Sequence, residues 1–227
     1  MIARGPFPGG SRAAVLAVAF GVGFLVPPGG EVAAQTGTVE GLVTLEAPPR
    51  PRRTADRYAT APTPARQVQQ LPTVVFLKEA VGGRPPARTL SMVQQDTAFS
   101  PGTVVIPVGG SVDFPNADPF FHNVFSYSTP QRFDLGRYPQ GESKTVTFDE
   151  PGIVSVFCEV HDFMRGAIVV VENGFHAIVG EDGAFRLTGV PAGEHTLVIW
   201  HPDHRTLERT VSVTAGGTYR IEVELRR

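Results

Sequence analysis

The run Cys158-Glu159-Val160-His161-Asp162-Phe163-Met164 places a thiol, an imidazole and a thioether within seven residues. All three are soft or borderline metal donors. A second imidazole, His122, lies upstream among Phe120, Phe121, Val124 and Phe125. Two imidazoles and a thiolate in a trigonal plane, with a weak axial thioether, make a blue-copper electron-transfer site. Thiolate and thioether favour Cu(I), while imidazole also suits Cu(II). A geometry between those preferences limits rearrangement on one-electron transfer. Cys158 and His161 also read as nucleophile and base. That chemistry needs an orienting group and an oxyanion site, and the sequence indicates neither. A two-copper centre needs a second Cys, and the chain has one.

That single Cys also excludes an intramolecular disulfide and any structural zinc site built on two thiolates. The formal charge of −2 provides no global basic field for nucleic acid. The 25 Gly and 21 Pro make a turn-rich chain, short of the level that signals disorder. Residues 1–34 read as a signal peptide: Arg4 and Arg12, an apolar run from Ala13 to Val26, then Val32-Ala33-Ala34 before Gln35. The apolar run is short for a bilayer span, so the expectation is an exported chain, periplasmic or extracellular, with no membrane span after cleavage. An uncleaved anchor is the alternative. In an oxidising compartment, a leftover Cys suggests an intermolecular bond or a chemically engaged sulfur, with a plain buried structural Cys as the alternative.

The elements that must position these donors are strands. GTVEGLVTL (37–45) alternates, and PTVVFL (72–77) is a second apolar run. Between them, the 48–70 stretch carries five Pro and five Arg and reads as a solvated connector. From Thr89, short strands recur between turns: TLSMVQQ, TVVIPV (103–108), SVDF (111–114), FHNVFSYS (121–128), SKTVTF (143–148), IVSVFC (153–158) and GAIVVVE (166–172). No segment of 11 or more residues after the signal keeps a 3.6 period. This is the spacing of an all-β sandwich. Cys158 closes one strand and another begins near Gly166, so the donors lie on a tight loop at one end of the sandwich, with His122 anchored in a strand.

The segment from about Ala87 to Glu172 resembles a cupredoxin, and its Cys-x2-His-x2-Met loop is most similar to the short ligand loop of amicyanin. PFFHNVF, FDLGRY (133–138) and SKTVTFDEPGIVSVFC carry the resemblance. It implies a Greek-key sandwich and one type 1 copper held by His122, Cys158, His161 and Met164. It also implies that Asn123 braces the Cys-bearing loop by hydrogen bonding. Asp162 departs from the amicyanin pattern, which has Pro there, and puts an acid beside His161.

The tail resembles a carboxypeptidase-regulatory-like, transthyretin-like sandwich through GEDGAFRLTGVPAGEHTLVIW and TVSVTAGG. Such modules open with strands like GTVEGLVTL and PTVVFL, which here precede the cupredoxin. The expected organisation is therefore opening strands in 36–80, a cupredoxin domain over 87–172 and the small sandwich over 173–227. In one arrangement the cupredoxin is inserted into the small sandwich. In the other, 37–80 extends the cupredoxin and the tail is an incomplete module. Trp200-His201-Pro202-Asp203-His204 reads as a turn after a strand, or as a secondary metal or partner site. His176 and His195 alternate with apolar strand residues and read as structural or surface residues.

The expected function is one-electron transfer by Cu(II)/Cu(I) cycling, without enzymatic turnover, to a redox partner such as a cytochrome or dehydrogenase. The alternative is a copper-binding or docking protein without carrier turnover.

Overall fold

The computed structural model describes residues 35–48 and 68–227. Residues 1–34, read above as a signal peptide, and most of the Pro/Arg-rich stretch, residues 49–67, lie outside the described residues. Every regular element among the described residues is a strand. β1 (Thr36–Leu45) and β2 (Val74–Leu77) come first. Then follow β3 (Thr89–Ser91), β4 (Val93–Gln95), β5 (Ala98–Ser100), β6 (Thr103–Pro107), β7 (Gly110–Pro115), β8 (His122–Tyr127), β9 (Arg132–Tyr138), β10 (Ser143–Phe148), β11 (Gly152–Phe157) and β12 (Arg165–Val171). The tail adds β13 (His176–Ile178), β14 (Ala184–Pro191), β15 (Gly193–Trp200), β16 (Leu207–Val213) and β17 (Thr218–Leu225).

Two sandwiches result. In the larger, a sheet ordered β6-β12-β11-β8-β9 packs on one ordered β10-β7-β3. Ile106, Phe114, Val124, Phe148, Val154 and Ile168 fill the space between. In the smaller, β14-β1-β17 packs on β13-β2-β15-β16 around Val39, Val75, Leu197, Ile199 and Val211. β1 is therefore the central strand of a sheet whose other members lie in the tail: antiparallel to β14 and parallel to β17. β2 is flanked by β13 and β15. The chain leaves the small sandwich after β2, builds the larger one, and returns at β13. Gly41 is required at the crossing of β1, because a Cβ there would stand 2.1 Å from the Ile221 carbonyl oxygen.

The apolar run of β12 has a physical cause. Ile168 and Val170 face the interior of the larger sandwich. Ala167, Val169 and Val171 face the other way and pack with Val105 against Leu71, Val74 and Trp200. A strand buried on both faces shows no polar alternation. The outer face of the five-stranded sheet is thus covered by the smaller sandwich, and Trp200, 7% exposed, is its largest contribution.

Two elements differ from the sequence reading. TLSMVQQ is split into β3 and β4, and β4 forms a hairpin with β5 through Asp96 and Thr97. Both turn residues have positive φ, 55° and 58°, as a two-residue hairpin turn of this hand demands. β9 was masked by its charges Arg132, Asp134 and Arg137, which an edge strand tolerates on its open side.

Candidate metal centre

β8, β11 and β12 are neighbours in one sheet. Phe157, the last residue of β11, pairs with Phe125 of β8 on one side and Arg165 of β12 on the other. This brings His122, the first residue of β8, beside Cys158, one residue past β11. His161 and Met164 lie on the loop from β11 to β12, where the Met164 N–H donates to the His161 carbonyl at 2.9 Å and closes the turn. Asn123 Oδ1 accepts the Glu159 N–H at 2.7 Å, tying the strand that carries His122 to the loop that carries Cys158. Gly166 ends the loop in a crowded position: a Cβ there would meet Val156, the Gly102 carbonyl and Met92 at 3.0–3.1 Å.

Three donor atoms converge. Cys158 Sγ lies 3.5 Å from His122 Nδ1 and 4.0 Å from His161 Nδ1, and the two Nδ1 atoms are 3.2 Å apart. One ion bonded to imidazole nitrogen at about 2.0 Å and to thiolate at about 2.3 Å spans a triangle of this size. His122 is fully buried, Cys158 is 3% exposed and His161 is half-buried. Met164 is fully buried in the same apolar cluster as Cys158.

Asp118, absent from the sequence reading, decides the chemistry of His122. Its Oδ2 lies 2.8 Å from His122 Nε2. Burial pushes the Asp118 carboxyl up, but hydrogen bonds from the Thr97 N–H, His122 and the Asp96 N–H outweigh this and leave it below its ordinary 3.8. The group is a carboxylate at neutral pH and can only accept, so His122 Nε2 carries the proton. In neutral His122 the Nδ1 lone pair is then directed at the Cys158 and His161 donors. A carboxylate on the outer nitrogen of a ligating imidazole fixes tautomer and ring orientation and raises basicity. The sequence signal was Asp118 four residues before His122, in the loop FPNADPFFH, where Asn116 Oδ1 accepts the Asp118 N–H at 3.0 Å.

An apolar rim surrounds the half-buried imidazole. The Phe120 ring lies 5.4 Å and the Phe163 ring 5.8 Å from the His161 ring, centroid to centroid. Phe120, Phe121 and Val160 are exposed. Asp162 is also exposed, and Glu159 is paired with Arg137 at 3.2 Å.

The other singled-out histidines lie elsewhere. His195 Nε2 donates to the Pro191 carbonyl at 2.7 Å, and His176 is held in β13. In the turn after β15, His201 Nδ1 accepts the Asp203 N–H at 3.1 Å and lies 2.9 Å from His204 Nδ1.

Fold and donor set together define an all-β protein with a cupredoxin-like fold and a His-Cys-His group that could hold a metal ion. Residues 87–171 match the family model for copper binding proteins of the plastocyanin/azurin family, and residues 159–226 match that for the carboxypeptidase regulatory-like domain. The two matches overlap over 159–171, where β12 belongs to the larger sandwich by its pairing with β6 and β11.

No curated protein matches the chain. Among solved structures, the chain is similar to a Cu-containing nitrite reductase from Thermus scotoductus SA-01, at 25% identity and a TM-score of 0.36. That similarity covers 43% of this chain but only 27% of the reductase. Amicyanin from Paracoccus versutus is 22% identical, with a TM-score of 0.35, over 42% of this chain and 96% of that one. A purple cupredoxin from Nitrosopumilus maritimus is 24% identical, with a TM-score of 0.32, over 37% and 99%. Copper fits the residues present: one thiolate and two imidazoles aimed at a common point, with the outer nitrogen of His122 already occupied.

Proposed function

We propose that the protein is an exported type 1 copper protein that carries single electrons to and from a redox partner. The observation that supports this most directly is the convergence of His122 Nδ1, Cys158 Sγ and His161 Nδ1. Copper, when bound, supplies reversible Cu(II)/Cu(I) chemistry. His122, Cys158 and His161 would hold it, and Met164 would supply a fourth, weaker donor in this reading. The chain's residues set the rest. Asp118 holds His122, Asn123 holds the loop after Cys158, and the sandwich keeps both sides fixed while the charge changes. The half-buried His161, framed by Phe120 and Phe163, is the route for the electron. The exposed apolar rim is the face a cytochrome or dehydrogenase would cover, with Asp162 and the Arg137–Glu159 pair at its margin.

The strand pairing favours one organisation for this reading: a cupredoxin domain over 87–172 inserted between the opening strands in 36–80 and the tail 173–227 of a small transthyretin-like sandwich. Export rests on the sequence of residues 1–34. Among the described residues, no helix is long and apolar enough to cross a membrane.

A second reading has a specific observation in its favour. Cys158, His122 and Asp118 form a chain of 3.5 Å and 2.8 Å contacts, the order of a nucleophile, base and orienting acid. The orienting carboxylate that sequence reasoning did not find is therefore present, on His122 rather than His161. Burial weighs against catalysis: a nucleophile must meet its substrate, and both Cys158 and His122 are closed from solvent. Rapid electron self-exchange by the copper-loaded protein, slowed in His161→Gly, tests the carrier reading. Tight one-way copper transfer without exchange would favour the docking or copper-delivery alternative. Thiol-dependent turnover in the metal-free protein would favour the catalytic one.

A further inference from the structure

The smaller sandwich reaches the ligand loop. Arg165 follows Met164 directly, and its two terminal nitrogens donate to the two oxygens of Asp203, each at 2.7 Å. Its Nε donates to the Gln69 carbonyl at 2.8 Å. The Gln69 N–H donates to the Phe163 carbonyl at 3.3 Å. The residues on both sides of Met164 are therefore held by one residue, Gln69, and the second of them is held again by Asp203.

Neither anchor is loose. The Gln69 side chain bonds the Phe99 carbonyl and the Phe99 N–H at 2.6 and 3.0 Å. Asp203 stands in the turn after β15, its N–H bonded to the buried His201 next to the buried Trp200. The Arg165 and Asp203 side chains are 18% and 28% exposed. Bidentate, partly desolvated pairs of this kind fix geometry in a way exposed pairs do not.

We infer that Asp203 is a positioning residue for the copper site: through Arg165, the Trp200–His204 turn sets where Met164 stands. This rests on the reading of Met164 as axial donor. A long, weak axial bond cannot dictate the position of its own ligand, so the polypeptide must. Here the holding groups come from the smaller sandwich and the segment leading into β2, which gives the appended module a role in the chemistry.

The test compares the full chain with Asp203→Ala and with the milder Asp203→Asn, which keeps one acceptor oxygen if the alanine variant folds poorly. In the metal-free protein, amide hydrogen exchange over 159–166 is expected to rise about tenfold in Asp203→Ala and less in Asp203→Asn, since tenfold corresponds to about 1.4 kcal/mol. In the copper-loaded protein, bound copper stays at one per chain while the reduction potential and the visible spectrum shift. In a Met164→Leu background, the same Asp203 substitution should no longer move the potential. Unchanged exchange over 159–166 overturns the inference. Raised exchange with an unchanged potential also overturns it, while leaving the copper reading intact. A parent protein that binds copper without a thiolate-to-copper band overturns the reading of the site itself, and the exchange experiment then reports only a structural clamp.

Discussion

Asp118 accepts the Nε2–H of His122 at 2.8 Å while its two oxygens also take the Asp96 and Thr97 N–H groups at 2.8 and 3.0 Å. A buried imidazole thus has a fixed anion on one nitrogen and the metal donors on the other. The strained two-residue turn between β4 and β5 finds its hydrogen-bond acceptor in the same carboxylate, so one side chain links the hairpin to the site.

That anion favours the more positive state of the site. Asp118→Asn keeps an acceptor oxygen but removes the charge, so it should raise the reduction potential and lower Cu(II) affinity by roughly 10–100-fold, the usual cost of losing an outer-shell partner. Potentiometry and a copper competition titration measure both. An unchanged potential would mean that Asp118 serves the hairpin alone.

Cys158→Ser should abolish the intense thiolate-to-copper absorption and most Cu(I) affinity. Folding stability should change little, by about 1 kcal/mol, because the residue is small and the surrounding Val154, Val156 and Ile168 remain. Chemical denaturation of the metal-free variant checks the second point.

Met164→Gln should keep copper and colour and shift the potential, because the axial donor is weak. Met164 is fully buried, so an amide there should cost about 1–3 kcal/mol of stability in the metal-free protein. A potential identical to the parent's would remove Met164 from the ligand set without touching the other three residues.

Trp200→Ala removes the largest side chain between the two sandwiches. Truncation of a buried aromatic costs about 3–5 kcal/mol. Calorimetry of the metal-free protein should show a lower transition that separates into two, since fewer apolar contacts then couple the sandwiches. A single transition at the parent temperature would contradict the packing described for β12.

Two histidines, the half-buried His176 and the buried His201, set a pH dependence. Burial, and then Arg88, lowers the His176 pKa. Burial, and then His204, lowers that of His201, with Asp203 opposing. Both are depressed below the ordinary 6.5. The unfolded chain therefore takes up protons first as pH falls. Their contribution is complete above about pH 6.5 and is lost as pH drops through the lower folded-state values. Stability of the metal-free protein should decline from pH 7.5 toward 5, with a shallower slope in His201→Gln. Asp203 behaves otherwise. Its hydrogen bonds with Arg165 hold it below its ordinary 3.8 despite burial, so the clamp should persist to lower pH than an unpaired carboxylate would.

The candidate loop and most strands were legible because their signals are local. Cys158 and His161, which the structure brings together with His122, fall in one loop, and alternation in 153–158 marks β11. The alternating pattern of 37–45 was equally clear, but its partners Leu187 and Tyr219 are well over a hundred residues away, so only resemblance could suggest them. What stayed hidden was relational. Asp118 is an ordinary loop acid until the chain folds it onto His122. Arg165 and Asp203 are 38 residues apart and carry no mutual signal. The run GAIVVV showed a strand, but not that both of its faces are buried or that the smaller sandwich is the second cover.

The visible absorption and electron paramagnetic resonance spectra of the copper-loaded protein, measured beside those of Cys158→Ser, decide whether Cys158 holds copper as a thiolate. An intense thiolate-to-copper charge-transfer band and a narrow parallel copper hyperfine splitting are expected in the parent, both lost in the variant. Weak ligand-field bands with an ordinary hyperfine splitting in the parent, or a spectrum that survives the loss of Cys158, would contradict that role.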